Sequence, residues 1–197
     1  MDLLSLAFAL FVVIDSLGNM PICLHFLKGF SNKKRHKILI REMLVALAFF
    51  IFFYFIGPSF LKLLKLDFYT VQISGGIILF LIALKMIFPN RKDFQMSSKD
   101  SKEPLIVPIA IPLTAGPGAF AMIILYSNQI PWHMMLGALS LAWFASLLVM
   151  LSGPFLIKIL KDKGLMALAR LMGLILILIA TQMFLNGISI YLKSNGH

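Results

Sequence analysis

The sequence predicts an all-α membrane protein of six transmembrane helices, folded as two inverted three-helix repeats in which spans 1 and 4 are broken at mid-membrane. Three observations carry this prediction. Of 197 residues, 60% are hydrophobic and 13% charged, against roughly 45–50% apolar and 25% charged in soluble domains, and the mean hydropathy is +0.94. The apolar residues fall in runs free of Asp, Glu, Lys and Arg, of the roughly 20 residues a helix needs to cross a hydrocarbon core of about 30 Å. A Gly-Pro-x-x-x-Lys-x-x-Lys pattern also occurs twice, 96 residues apart, at Gly57 and Gly153.

The spans follow in order. Span 1, Leu3 to Leu27, is interrupted by Asp15 and by Ser16-Leu17-Gly18-Asn19-Met20-Pro21. Its start has no basic n-region and its apolar run meets Asp15 instead of a small-residue cleavage site, so it is expected to stay attached. Span 2 is Met43 to Leu61 and span 3 is Phe68 to Leu84. Pro104 to Ile157 carries no formal charge and is too long for one helix; the polar segment Ser127 to His133 divides it into spans 4 and 5. Span 6 is Leu171 to Leu192. The organisation expected is a first repeat over 1–88, a cytoplasmic connecting loop over 89–104 and a second repeat over 105–197.

A net charge of +10 raises the question of nucleic acid, and the positions of the charges answer it. Lys28, Lys33, Lys34, Arg35, Lys37 and Arg41 follow span 1. Arg91, Lys92, Lys99 and Lys102 follow span 3, and Lys158, Lys161, Lys163 and Arg170 follow span 5. These are alternate loops on one side, while the other side has Lys62, Lys65 and Lys193. The positive-inside rule therefore places both termini outside an inner, or plasma, membrane. A nucleic-acid partner, which would need one clustered basic face, is not expected. The one cysteine, Cys23, excludes an internal disulfide and any Cys-based metal site, and the four histidines lack ligand spacing.

Near the same shift as the Gly-Pro pattern, Gly76 to Met86 matches Gly173 to Met183. Three crossings per half invert the second half relative to the first, as in many secondary transporters. The first span of each half is the interrupted one. Span 4 carries Pro108 and then Pro112-Leu113-Thr114-Ala115-Gly116-Pro117-Gly118-Ala119. Proline removes an amide donor and glycine takes positive dihedrals readily. Paired Gly/Pro interruptions at corresponding positions point to a transporter's binding site. Irregular backbone in a bilayer needs protein or a water-filled cavity around it, so the two breaks are expected to meet.

Apart from the border pair Arg41 and Glu42, only Asp15 and Lys85 are formal charges within a span. Asp15 lies about 19 Å from the start of span 1 at 1.5 Å per residue, where an aspartate costs about 2.5–3.5 kcal/mol on insertion scales. It either holds a cation, a proton or a substrate ammonium, or caps the broken helix after it; both roles are compatible. Lys85 is near enough to the basic side for its ammonium to snorkel. Its repeat partner Gln182 could hydrogen-bond across helices, as could Thr181 and Asn186. Around the breaks, Gly18, Gly116 and Gly118 could cradle a carboxylate at half-helix N-termini, or serve close helix packing. Asn19 and Thr114 would add directional hydrogen bonds. The Phe-rich run Phe49 to Phe55 reads as lipid-facing bulk.

Several motifs together carry a family likeness. Asp-x-Leu-Gly-Asn-x-Pro at Asp15 to Pro21, Ser74 to Ile87, Pro-Leu-Thr-Ala-Gly-Pro-Gly-Ala at Pro112 to Ala119, and Arg170 to Leu176 resemble the MarC family, essentially end to end. The resemblance implies a six-span bacterial inner-membrane protein of the broader LysE-like transporter group, whose SnatA-type members are assigned transport of small neutral amino acids. Two positions depart from the family pattern: Ser16 stands where Pro is usual, and Asn186 where Asp is common. Asn186 removes a second carboxylate from any two-acid coupling scheme.

The function expected is therefore a secondary transporter, or exporter, of small polar solutes such as neutral amino acids. Asp15, Gly18, Asn19, Thr114, Gly116, Gly118 and Gln182 are its candidate binding or coupling residues. The partners expected are the lipid bilayer and a small-molecule solute, with a homo-oligomer left open. No cofactor is expected beyond a coupling proton or sodium ion. The competing reading is a non-transporting scaffold or assembly partner whose small residues bind other helices. An enzyme is not expected, because no His-Glu metal motif, membrane-placed Ser/His pair or phosphate-binding loop is present.

Overall fold

The computed structural model describes residues 2–27, 30–88, 116–127 and 129–195, and the regular structure among them is entirely helical. The helices are α1 (Leu3–Ile14), α2 (Ser16–Phe26), α3 (Asn32–Leu63), α4 (Phe68–Ile87), α5 (Pro117–Ser127) and α6 (Trp132–Asn195). Among the described residues, five segments are long and apolar enough to cross a membrane: Leu3–Met20, Asn32–Leu63, Phe68–Ile87, Trp132–Leu156 and Gly164–Ser194. Of the expected span 4, the described part is the short apolar helix α5. The first half of that span, with Pro108 and Pro112 to Ala115, lies outside the described residues, as does the connecting loop 89–104.

Local chemistry sets the helix ends. Ser31 caps α3, its Oγ accepting the Lys34 N–H at 3.4 Å while its carbonyl accepts from Arg35 at 2.9 Å. The basic residues read as a loop after span 1 thus fall largely on the first turns of α3. At the other end of α3, Lys65 takes φ 55° and the Leu66 N–H reaches back to the Leu61 carbonyl at 2.9 Å, turning the chain into α4. The basic stretch expected as a loop after span 5 is instead helical, and α6 runs unbroken for 64 residues. Nothing between Lys158 and Lys163 is a strong helix breaker. A straight helix of that length would span about 96 Å, yet Leu139 and Leu176 belong to one apolar cluster, so α6 bends back between its two apolar segments, Trp132–Leu156 and Gly164–Ser194.

Those two segments pack on different neighbours. In the first, the Trp143 indole N–H donates to the Met43 carbonyl of α3 at 2.7 Å. The second lies antiparallel on α4, and α4 with α6 is the most extensively contacting element pair among the described residues. A Cβ on Gly76 would sit 2.9 Å from the Ala180 carbonyl oxygen, and one on Gly173 would sit 3.2 Å from the Ala83 carbonyl oxygen. Tyr69 and Tyr191 meet at the far end of the pair, ring centroids 5.4 Å apart. The contact is reciprocal: under the repeat, Gly76 corresponds to Gly173 and Ala83 to Ala180. Because both glycines face backbone, which cannot swing aside, Gly76→Ile is expected to destabilise the protein by about 1–3 kcal/mol through overpacking. A lowered thermal melting temperature of the purified protein checks this; an unchanged one refutes it.

The larger apolar cluster joins α1, α5 and the middles of α3, α4 and α6 through residues such as Leu10, Phe50, Leu79, Ile123, Leu139 and Leu176. A smaller one joins α2 to the first turns of α3 through Met20, Cys23, Leu27 and Leu39, with Met150 of α6. The Phe-rich run of α3 is not uniformly lipid-facing. Phe52 and Phe55 are exposed, but Phe50 is fully buried and packs edge-on to Phe120 at 6.2 Å, with Phe53 at 4.5 Å from the same ring. Helical spacing turns every third or fourth residue of such a run inward.

Candidate functional site

The interruption of span 1 is one residue wide. Asp15 stands between α1 and α2 in the left-handed conformation, φ 51°, ψ 45°, and its N–H still reaches the carbonyls of Phe11 and Val12 at 3.2 and 3.1 Å. Asp and Asn are among the few L-residues that visit this region with any frequency. The Asp15 carbonyl then accepts from the Asn19 N–H at 3.0 Å, which starts α2. The positive dihedral expected of a glycine therefore belongs to Asp15, and α2 continues helically through Pro21.

Side chains satisfy the groups that the break leaves over. Asp15 Oδ1 accepts the Gly18 N–H at 3.2 Å, the N-capping geometry expected for a carboxylate at a helix start. Asn19 Nδ2 donates to the Ile14 carbonyl, the last of α1, at 3.4 Å. Asp15 is 6% exposed. Gly18 allows this closeness: a Cβ there would lie 2.5 and 2.7 Å from the two Asp15 carboxylate oxygens, and would also meet the Met86 methyl of α4. Asp15, Gly18 and Asn19 thus form one unit, with the Met86 methyl of α4 beside Gly18. Ser16, at the start of α2, is fully buried and its Oγ has no hydrogen-bond partner among the described residues.

The other candidates lie elsewhere. The Gly116 carbonyl accepts the Phe120 N–H at 3.2 Å, so Gly116 opens α5. Gly118 is covered by the Leu79 side chain of α4, so its missing Cβ serves helix packing. Thr114 lies outside the described residues. Lys85 is exposed in the last turn of α4. Gln182 Nε2 donates to Asn186 Oδ1 at 2.8 Å, one helical turn along.

Gln182 and Asn186 border a cavity of about 350 Å³ between α1, α4, α5 and α6, and Gln72 and Tyr126 also line it. Gln72 is 3% exposed and its Oε1 has no partner among the described residues. Sequence reasoning missed Gln72 and Tyr126, although an amide inside the apolar run of span 3 is the same kind of signal that drew attention to Gln182. It also left Glu42 at a helix border. Glu42 is 1% exposed; its Oε1 pairs with Arg41 at 2.7 Å and its Oε2 has no partner among the described residues.

Comparison with known proteins bears on the whole chain. The family model described as MarC family integral membrane protein matches residues 2–192. The UPF0056 inner membrane protein YhgN of Escherichia coli (strain K12) is similar at 45% identity over 194 residues, 98% of each chain. A UPF0056 membrane protein of Buchnera aphidicola subsp. Schizaphis graminum is similar at 45% identity over 195 residues, 98% of this chain and 99% of its own. One from Chlamydia pneumoniae stands at 33% over 190 residues, 95% and 94% of the two chains. No solved structure matches.

Proposed function

The chain belongs to the MarC family of integral membrane proteins, and from that premise we propose that it is an inner-membrane secondary transporter of small polar solutes such as neutral amino acids. The observation that carries this reading is the buried carboxylate of Asp15 at a one-residue helix break inside a span. Intramembrane ionisable groups mark ion and substrate pathways by default, and transporter sites use discontinuous helices whose ends face the solute. With Oδ1 engaged by Gly18, Oδ2 remains to hold a coupling proton, a sodium ion or a substrate ammonium. Asn19 fixes the geometry of the break from the other side.

Three further observations support the finer architecture and the location. The reciprocal contacts Gly76 with Ala180 and Gly173 with Ala83, between antiparallel helices, are what two inverted repeats would give across their pseudo-two-fold axis. The name of the Escherichia coli relative supports an inner-membrane location, and the charge asymmetry supports external termini. A scaffold would need small residues available to other helices. Here Gly75 meets Ala121 and Met183, Gly118 meets Leu79, and Gly187 meets Ile73, all within the chain.

The test is flux of radiolabelled alanine, glycine and serine in proteoliposomes under an imposed proton or sodium gradient. Gradient-driven uptake or efflux by the wild type, lost in Asp15→Asn at equal abundance, is the expected result. Flux by Asp15→Asn equal to wild type overturns the coupling role.

A further inference from the structure

We propose that the cavity between α1, α4, α5 and α6 is a second binding site, which takes a small uncharged solute bearing a carboxamide or similar donor-acceptor group. It is separate from the break: of span 1, only Ala9 reaches its wall, and Asp15, Gly18 and Asn19 do not line it. At about 350 Å³ it falls at the small end of ligand cavities, which run from roughly 300 Å³ upward.

The chemistry of the wall selects the occupant. Its polar groups are the amides of Gln72, Gln182 and Asn186 and the hydroxyl of Tyr126, and none of its residues carries a formal charge. An ionised solute would be desolvated there without a counter-charge, which is costly. An acyl chain would leave the lining amides, including that of Gln72, whose Oε1 is buried and unpartnered, without a new partner, at the desolvation cost of an unsatisfied amide. A carboxamide both donates and accepts, as Gln72 does, so it pairs with that side chain in either amide orientation. Because Gln182 Nε2 is committed to Asn186 Oδ1, Gln182 Oε1 and Asn186 Nδ2 present one acceptor and one donor at the rim. Met122, Leu125 and Met183 supply an apolar surface for the rest of the solute.

The probe pair is 2,2,2-trifluoroacetamide and trifluoroacetate, which share the fluorinated group and differ in charge. They are titrated onto the full-length protein in lipid nanodiscs and followed by ¹⁹F line broadening, with empty nanodiscs as the control for partitioning. Expected are saturable broadening of the amide alone, binding weakened roughly fivefold or more in Gln72→Met, as for one lost hydrogen bond, and binding retained in Asp15→Asn. That last arm separates this site from the proposed coupling site, since each can fail without the other. Gln182→Leu repeats the measurement if Gln72→Met does not fold. No saturable amide binding, equal binding of both probes, or amide binding unaffected by either cavity substitution overturns the proposal.

Discussion

Gly18→Ala is expected to reduce gradient-driven flux by about tenfold or more while the protein still reaches the membrane and purifies as a folded species. The added methyl would sit 2.5 and 2.7 Å from the Asp15 oxygens, so the carboxylate must rotate off the Gly18 N–H that it now accepts. Loss of that cap costs about 0.5–2 kcal/mol, which lowers the melting temperature without unfolding the protein. The functional loss is larger because a reacting or binding group displaced by about 1 Å can lose up to a hundredfold in rate. The same methyl also meets the end of Met86, and this gives the prediction its control. Met86→Ala removes the second clash and leaves the first. If the carboxylate is what matters, Gly18→Ala with Met86→Ala stays as poor in flux as Gly18→Ala alone; recovery in the double variant would assign the defect to helix packing. Initial rates in proteoliposomes, measured beside melting temperatures, decide between the two.

That control could not have been designed from the sequence, and the reason is instructive. Span positions were legible because bilayer thickness imposes a length on apolar runs, and five of the expected spans return as long apolar segments among the described residues. Asp15 was legible because a carboxylate is conspicuous in such a run. Its conformation was not, because glycine is the residue expected to carry a positive φ, whereas Asp15 tolerates that conformation and caps α2 at once. The glycines of spans 1 and 4 resemble each other as a string but differ by neighbour: Gly18 admits a carboxylate, Gly118 admits Leu79. Gln72 gains meaning only when α5 and α6 line a cavity beside it, a relation between residues fifty or more positions apart. The charges between spans 5 and 6 predict a loop because charge marks solvent, but charge alone does not end a helix, and the helix runs on through Gly164.

Replacing Asp15 by glycine, asparagine and alanine separates its two roles, and the three variants are expected to divide differently in stability and in flux. The left-handed backbone at φ 51° costs an ordinary L-residue roughly 1–2 kcal/mol. Alanine bears that cost and also loses the cap on Gly18, so Asp15→Ala is expected to be destabilised by about 2 kcal/mol or more. Asparagine keeps both the conformational preference and an acceptor for the Gly18 N–H, and glycine adopts the conformation without penalty while losing only the cap. Asp15→Asn is therefore expected to melt close to wild type, with Asp15→Gly between it and Asp15→Ala. If Asp15 only shapes the break, flux follows that stability order and Asp15→Asn transports normally. If the carboxylate carries the coupling charge, gradient-driven flux falls to background in all three variants, including the one that melts like wild type. Loss of coupling in Asp15→Asn without loss of stability is the result that a capping role alone cannot produce.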